Sequence, residues 1–541
     1  MATQSADHNP ALSAARYPLA GFFHQRQMSA MTQITSAADR FEIQTWLQLL
    51  AACLTAILIP LSFTGPAVVL PSISHSLGGS AVQLSWVVNG YILTYGSAMM
   101  AAGSLADIYG RKRVWLFGLG AFAILTMMIP FAPSVVGIDI LRLAQGLAGA
   151  AAFAGAMASL AQTFYGPVRT RVFSLLGTTF GIGLAFGPLA SGWLVVTAGW
   201  PWVFFATALI GLAGLALVAL SATESRDPHA AGLDWPGAVS FTAALALFTY
   251  AILLAPENGW GSLSVAGSLL LSLAVFIAFV LIERRVARPM LDLTLFRSTR
   301  FIGVQVLAAS PAFFFVILIV MLPGRFIGID GQSALEAGKT MIALAAPLLF
   351  VPFLAALLAH RFTSGVLSGI GLLLVAVGLA WLGHELTANN GHGLIAPMLL
   401  IGTGIGLPWG LMDAMAVSVV EKERAGMATG IFNAVRVSAD GIAIAIAGAV
   451  LALLIQGGLF AALTGNGGTQ HLVEAANRAA LGDLNSAAAL LPGQRQLMLQ
   501  IYDQAFRNLL YILAIASAAC ALLIFGLLGR LHAHDSTSVE E

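Results

Sequence analysis

An all-α polytopic membrane protein with fourteen transmembrane helices is the fold class that three observations predict. They are the composition, the spacing of apolar runs and the placement of basic residues. Of the 541 residues, 58 % belong to the AVILMFWYC set and 9 % are charged, with 25 basic and 24 acidic side chains and a net charge of +1. Soluble domains carry about 25 % charged residues, so few charges could not screen so much apolar surface from water. A transmembrane helix takes about 20 mainly apolar residues, and about fourteen spans of about 22 would use about 308 of the roughly 314 apolar positions. The composition excludes a soluble enzyme and a disordered protein. Continuous apolar runs exclude an outer-membrane barrel, whose strands alternate. The near-zero net charge excludes nucleic acid as a partner. Cys53 and Cys520 both lie in apolar stretches and predict neither a disulfide framework nor a metal site.

Taken in order, residues 1–45 are polar, with Arg16, Arg26 and Arg40, and lack the compact apolar stretch of a signal peptide. They predict a disordered cytoplasmic tail. Apolar runs follow at 47–70, 84–106, 114–132, 136–160, 172–196 and 201–221. A pair comes at 236–255 and 263–282. Six more come at 301–323, 339–359, 366–384, 394–418, 428–456 and 506–529. The longest polar break, 461–505, predicts a periplasmic loop with room for a short helix, and 531–541 a cytoplasmic tail. Cytoplasmic loops carry excess Lys and Arg. With the N-terminus inside, fourteen basic residues fall in inner loops, among them Arg111, Lys112, Arg113, Arg284 and Arg285. Five fall outside: Arg325, Lys339, Arg478, Arg495 and Arg507. Both termini are therefore expected in the cytoplasm.

An internal repeat divides the chain. LADIYGR (Leu105–Arg111) follows the second span, and LAHRFTS (Leu358–Ser364) follows the tenth. Arg171 and Gly177 open the fifth span, and Arg424 and Gly430 open the thirteenth with the same separation. Repeats of this kind mark secondary transporters with a site between the halves. The expected units are an N-terminal six-helix bundle at 46–222, a two-helix insert at 223–298 and a C-terminal six-helix bundle at 299–530.

The sharpest motif is GSLADIYGRKR, Gly103–Arg113. Gly103 and Gly110 suit close helix approach and a tight turn. Asp107 beside Arg111 and Lys112 suits a charged conformational latch at a helix start. In span five, Gly183, Gly187 and Gly192 line up with Pro188 in GLAFGPLASG. Small residues let helix backbones pack closely, and proline removes a backbone donor.

The Gly103–Lys112 string resembles the signature loop between helices two and three of the major facilitator superfamily. Arg142, Gln145 and Gly146 are similar to the family's RxxQG, and Gly183–Gly192 resembles its antiporter motif, with Ser191 in place of a glycine. With fourteen spans, the chain resembles the fourteen-helix drug/proton antiporter family. The resemblance implies a major facilitator fold, two six-helix bundles plus two inserted helices, and export coupled to proton entry. One departure matters. The family's first helix carries an acid where this chain has Ser62, in LSFTGPAVVLP, and serine cannot titrate.

Intramembrane charge supplies the remaining candidates. A lone charge at mid-bilayer costs about 2.5–3.5 kcal/mol on insertion scales. Asp139, Arg142, Asp413, Arg436 and Asp440 lie within or near spans. Left unpaired they would together cost about 12–17 kcal/mol, comparable to a whole domain's stability. Asp139 and Arg142 are spaced i, i+3 and Arg436 and Asp440 i, i+4, which puts each pair on one helix face. Asp413 has no partner nearby in sequence. Either these are structural ion pairs, or Asp139 or Asp440 carries a coupling proton. Ser62, Tyr91, Tyr95, Phe153 and Gln305 are candidates to line a substrate cavity. No phosphate-binding GxxxxGK[ST] string, HExxH or GxSxG occurs, so neither self-powered ATP hydrolysis nor an enzyme is expected, and no cofactor. The expected function is proton-coupled efflux of a small amphipathic compound from a bacterial-type inner membrane. The alternative is facilitator-type uptake or uniport without protons. Expected partners are the small-molecule substrate, protons and the bilayer; the sequence specifies no periplasmic adaptor.

Overall fold

The computed structural model describes residues 19–164, 166–226, 234–286, 291, 293–359, 361–386, 393–420, 425–463 and 469–529. Fourteen long helices dominate, and no strand occurs among the described residues. They are α1 Leu19–Leu77, α2 Ala81–Tyr109, α3 Arg111–Met128, α4 Val135–Thr163, α5 Gly166–Ala198 and α6 Pro201–Ser221. Next come α7 Trp235–Asn258 and α8 Leu263–Glu283. The last six are α9 Thr299–Ile329, α10 Ala334–Leu358, α11 Ser364–Glu385, α12 Ile395–Ala416, α13 Ala425–Ala462 and α14 Arg495–Leu528. Hydroxyl caps set several starts. Ser80 accepts from the Gln83 amide and Ser333 from the Glu336 amide, each closed into a capping box by the third residue's side chain.

Among the described residues, thirteen helices are long and apolar enough to cross a membrane. The helix outside that set is α2, although it has 29 residues. Gln83, Ser85, Asn89, Thr94 and Ser97 interrupt its apolar run. The packing supplies the reason: α2 sits against α4, α13 and α7, so it meets protein where other helices meet lipid. Large apolar side chains such as Phe117, Phe131, Leu220, Leu263 and Phe350 are exposed, as a lipid-facing surface requires.

The packing repeats with an offset of eight helices. In the first half α1 packs on α5 and α6, α2 on α4, and α3 on α4 and α6. In the second, α9 packs on α13 and α14, α10 on α12, and α11 on α12 and α14. The seams between halves repeat too: α5 meets α10, α13 meets α2, and α1 meets α9. Helices α7 and α8 pair with each other, and α7 wedges against α2 and α13.

Three boundaries differ from the sequence expectation. Helical backbone begins at Leu19, inside the segment 1–45 expected to be a tail, though only Ile43–Leu77 of α1 is a candidate span. The 461–505 break contains helices Thr469–Ala480 and Leu484–Leu490, and α14 starts at Arg495 rather than near 506. Arg325, expected in an outer loop, lies in α9 and is 4 % exposed. His360, Arg424 and the 531–541 tail lie outside the described residues.

Candidate functional site

A file of aromatic rings bounded by two guanidinium groups crosses from one half to the other. Arg142 on α4 stands 4.5 Å over the Tyr91 ring. Tyr91 stacks on Tyr95 at 5.8 Å, one helical turn along α2. Phe153 meets Tyr95 edge-on at 6.4 Å, and Phe180 meets Phe153 at 6.5 Å. The file then changes halves: Arg436 on α13 lies 5.8 Å from the Phe180 ring and 4.7 Å from that of Trp409. Phe315 closes it, 6.1 Å from Trp409. Cation–π contacts of this kind contribute about 2 kcal/mol or more when desolvated.

Arg142 is fully buried, and its guanidinium is spread over backbone and amide oxygens. Its Nε donates to the Val87 carbonyl at 2.7 Å, Nη2 to the Ser62 carbonyl and Nη1 to Gln145 Oε1. Gln145 passes the network on by donating to Thr126 Oγ1. This corrects the expected Asp139–Arg142 pair: no contact within 4.0 Å joins them, because the carbonyls of α1 and α2 take the guanidinium instead. Asp139 Oδ1 is buried with no hydrogen-bond partner. The expected Arg436–Asp440 pair is likewise not made. Arg436 reaches Asp413 at 3.8 Å, giving Asp413 the partner that its sequence neighbourhood did not show.

The candidate cavity residues separate. Tyr91, Tyr95 and Phe153 are consecutive members of the file. Ser62 contributes its carbonyl to Arg142, while its hydroxyl bonds back to Leu58 O at 2.7 Å. Gln305 on α9 is 6 % exposed, and both of its amide atoms are buried without partners.

The Gly103–Lys112 turn is tied to its own half. Asp107 accepts from Arg111 Nε at 3.1 Å and Nη2 at 2.9 Å. Asp107 lies in the last turn of α2 rather than capping α3; Gly110 takes the cap position with φ 110°. Lys112 Nζ donates to Ala219 O at 3.2 Å, and its amide to Glu224 Oε1 at 3.2 Å. A Cβ on Gly103 would meet open space.

The span-five glycines serve two different contacts. A Cβ on Gly183 would lie 2.5 Å from Pro60 Cγ, and one on Gly187 2.2 Å from Thr64 Oγ1, both on α1 within the first half. A Cβ on Gly192 would lie 2.1 Å from Ala334 O on α10, in the other half. Pro188 follows the same seam: its carbonyl is 3.0 Å from a Cβ placed on Gly338 of α10. The halves also meet where a Cβ on Gly96 would touch Ser438 N at 2.9 Å. Beyond the seam, Ser74 donates to Asp483 Oδ2 at 2.8 Å, and Arg478 Nη2 to Gly79 O at 3.2 Å. The described contacts between halves thus run from the Gly79 end to mid-bundle.

A family model for the Major Facilitator Superfamily matches residues 52–444. The chain belongs to the major facilitator superfamily. This transporter is 29 % identical over 410 residues to the tetracenomycin C resistance and export protein of Streptomyces glaucescens, over 75 % of this chain and 76 % of that one. It is 30 % identical over 439 residues to the methylenomycin A resistance protein of Streptomyces coelicolor, over 79 % and 90 % of the two chains. In structure it resembles a bacterial homolog of the human lysosomal transporter Spinster, with TM-score 0.62 and 15 % identity over 91 % of this chain and 98 % of that one. Its family and fold are those of transporters, not enzymes; both relatives are named for resistance, and the first also for export.

Sequence reasoning missed a second buried cation in the transporter. Arg325 pairs with Asp503 at 2.8 Å and Asp330 at 3.5 Å, beneath the rings of Tyr502 and Phe506. Burial pushes the Asp330 carboxyl up from the ordinary carboxylate range; Arg325 opposes the rise and Asp503 adds to it. An arginine just after Pro323-Gly324 in an apolar run was the available signal. Phe180, Trp409 and Glu224 were also missed. Their roles depend on helices distant in sequence, so no local pattern marks them.

Proposed function

We propose that this protein exports a small amphipathic compound by alternating access, coupled to proton entry, from a bacterial inner membrane with both termini in the cytoplasm. The excess of basic residues places the Gly110 end in the cytoplasm. The contacts at the Gly79 end then correspond to a state closed toward the periplasm. The Asp107–Arg111–Lys112 turn acts as the cytoplasmic latch in the opposite state. Pro188 and Gly192 seal the seam against α10, while Gly183 and Gly187 hold α5 against α1.

The observation that carries this reading is the Arg142-to-Arg436 file. It joins both halves through ring faces, and rings suit planar or apolar ligand parts while guanidinium groups orient polar ones. Gln305 offers an unused donor and acceptor. The names of the relatives support export as the direction. Asp139 or Asp440 carries the coupling proton, since Ser62 removes the first-helix acid. Asp139 Oδ1 is buried without a hydrogen-bond partner, which leaves that carboxyl free to exchange a proton.

The test uses proteoliposomes, an imposed pH gradient and tetracenomycin C or ethidium as probe. Gradient-driven movement is expected, with loss of coupling in Asp139→Asn or Asp440→Asn. Normal coupling in both single variants and the double variant would sink the proton assignment. Movement down its own gradient, indifferent to pH, would favour the facilitator alternative, which the non-titrating Ser62 supports.

A further inference from the structure

A cavity lies on the Gly79 side of the aromatic file. It lies between α1, α2, α7, α9, α13 and the loop helix Thr469–Ala480 and is partly open. None of Ser62, Tyr91, Tyr95, Phe153 or Gln305 lines it. Its roof is fixed by buried hydrogen bonds: Gln456 Nε2 donates to Pro256 O at 2.6 Å and to Asn477 Oδ1 at 3.2 Å. Gly448 forms part of the wall, and a Cβ there would meet nothing within 4 Å. No charged side chain is among the lining residues.

One lining group is unused. Asn89 is 3 % exposed, and its Nδ2 donates to Ser85 O at 3.0 Å, which fixes the amide orientation. Its Oδ1 is buried with no hydrogen-bond partner. Ser85 cannot serve it, because the Ser85 hydroxyl donates to Ala81 O. A buried acceptor left unsatisfied costs about 1–3 kcal/mol, so it is rarely retained without use.

We propose that this cavity binds an uncharged, mainly apolar molecule that presents one hydroxyl or N–H donor to Asn89 Oδ1. The absence of charged lining disfavours ions, which would be desolvated without compensation. The apolar walls admit an alkyl or aryl body, the usual character of a small-molecule site. An occupant would touch both halves, the α7 insert and the loop helix together, and so would hold the Gly79 end closed. That consequence rests on the alternating-access reading; the binding does not.

The test is photolabelling of the full-length protein in nanodiscs with a diazirine-bearing 1-octanol, compared with the same diazirine on octane. Saturable adducts are expected in 81–89 of α2 and 444–452 of α13, displaced by excess 1-octanol. A neutral hydrogen bond contributes about 0.5–1.5 kcal/mol, so the alkane should need about three- to ten-fold more for half-saturation. Asn89→Leu should bring the alcohol to the alkane's value. Gly448→Leu should fill the space and abolish saturable labelling without lowering Tm, and it tests the site even if Asn89→Leu fails to fold. Equal affinity for alcohol and alkane in the unmodified protein, or labelling unchanged in Gly448→Leu, would overturn the proposal. Expected labelling with transport indifferent to octanol would leave the site standing and remove its tie to alternation.

Discussion

The α5–α10 seam gives a prediction whose size follows from the coordinates. A Cβ on Gly192 would stand 2.1 Å from Ala334 O, and one on Gly338 2.6 Å from Leu189 Cα, whereas ordinary contact begins at 3.4 Å. The neighbours are backbone, so no side chain can swing aside; the helices must part by about 1 Å. Overpacking of this kind costs about 1–3 kcal/mol. Under alternating access the seam is made in one state and opened in the other, so the cost falls on one state only. Gly192→Ala or Gly338→Ala should therefore shift the equilibrium toward the state open at the Gly79 end, by about 5- to 150-fold. Gly183→Ala is the control. Its clash, with Pro60 and Ile57, lies inside one half and burdens both states alike. It should lower Tm without moving the equilibrium. Spin-label distances across the Gly79 end, on a background lacking Cys53 and Cys520, read the populations. Unchanged distances in both seam variants, or an equal shift in Gly183→Ala, would refute the reasoning.

Other consequences can be checked in parallel. Arg142→Lys cannot reach the Val87 and Ser62 carbonyls and Gln145 together; each buried acceptor left unmet costs about 1–3 kcal/mol, so Tm and substrate binding should both fall. Gly110→Ala should lower Tm, because φ 110° is disfavoured for residues with a Cβ, by about 1–2 kcal/mol, and the new atom would sit 2.5 Å from Glu224 Oε1. Asp330 holds its proton more tightly in the folded state than an ordinary carboxyl does. Its contribution therefore falls as pH rises from the ordinary carboxylate value through the raised one. Asp330→Asn should match the unmodified protein near pH 4 and be at least as stable at pH 8; a variant less stable at pH 8 in thermal melts would contradict this. Removing Ser74 and Arg478 together, as alanines, should raise the labelling rate of a cysteine at the Gly79 end, since both tie the loop helices to the α1–α2 hairpin.

The sequence revealed most where forces are local. Apolar run length located thirteen of the fourteen spans among the described residues, 84–106 forming a long helix that is less apolar than the rest. The Asp107–Arg111 contact is an i, i+4 pair between residues that the sequence already set side by side as a charged latch. The same rule failed for Asp139–Arg142 and Arg436–Asp440. Shared helix faces permit a pair, but carbonyls on α1 and α2 compete for Arg142, and Asp413 on α12 competes for Arg436. Those competitors lie on other helices and become neighbours only when each half folds. The aromatic file was half legible for this reason: Tyr91, Tyr95 and Phe153 belong to one half, whereas Phe180 and Trp409 matter through Arg436. Asn89 was not singled out in the sequence, because its unpartnered oxygen is a property of the folded packing.

Helix α7 touches both α2 and α13, one from each repeat. Rocking of those repeats, as proposed, would oblige at least one face of α7 to slide. On the α13 side that contact includes two short side chains: Ala445 and Ala449 lie against Ile252 of α7. Methyl groups present shallow relief, so a sliding helix passes them without unlocking deep knobs. The insert then works as a bearing between moving parts, and bulk added at Ala445 or Ala449 would act as friction on the cycle rather than as a break in the fold.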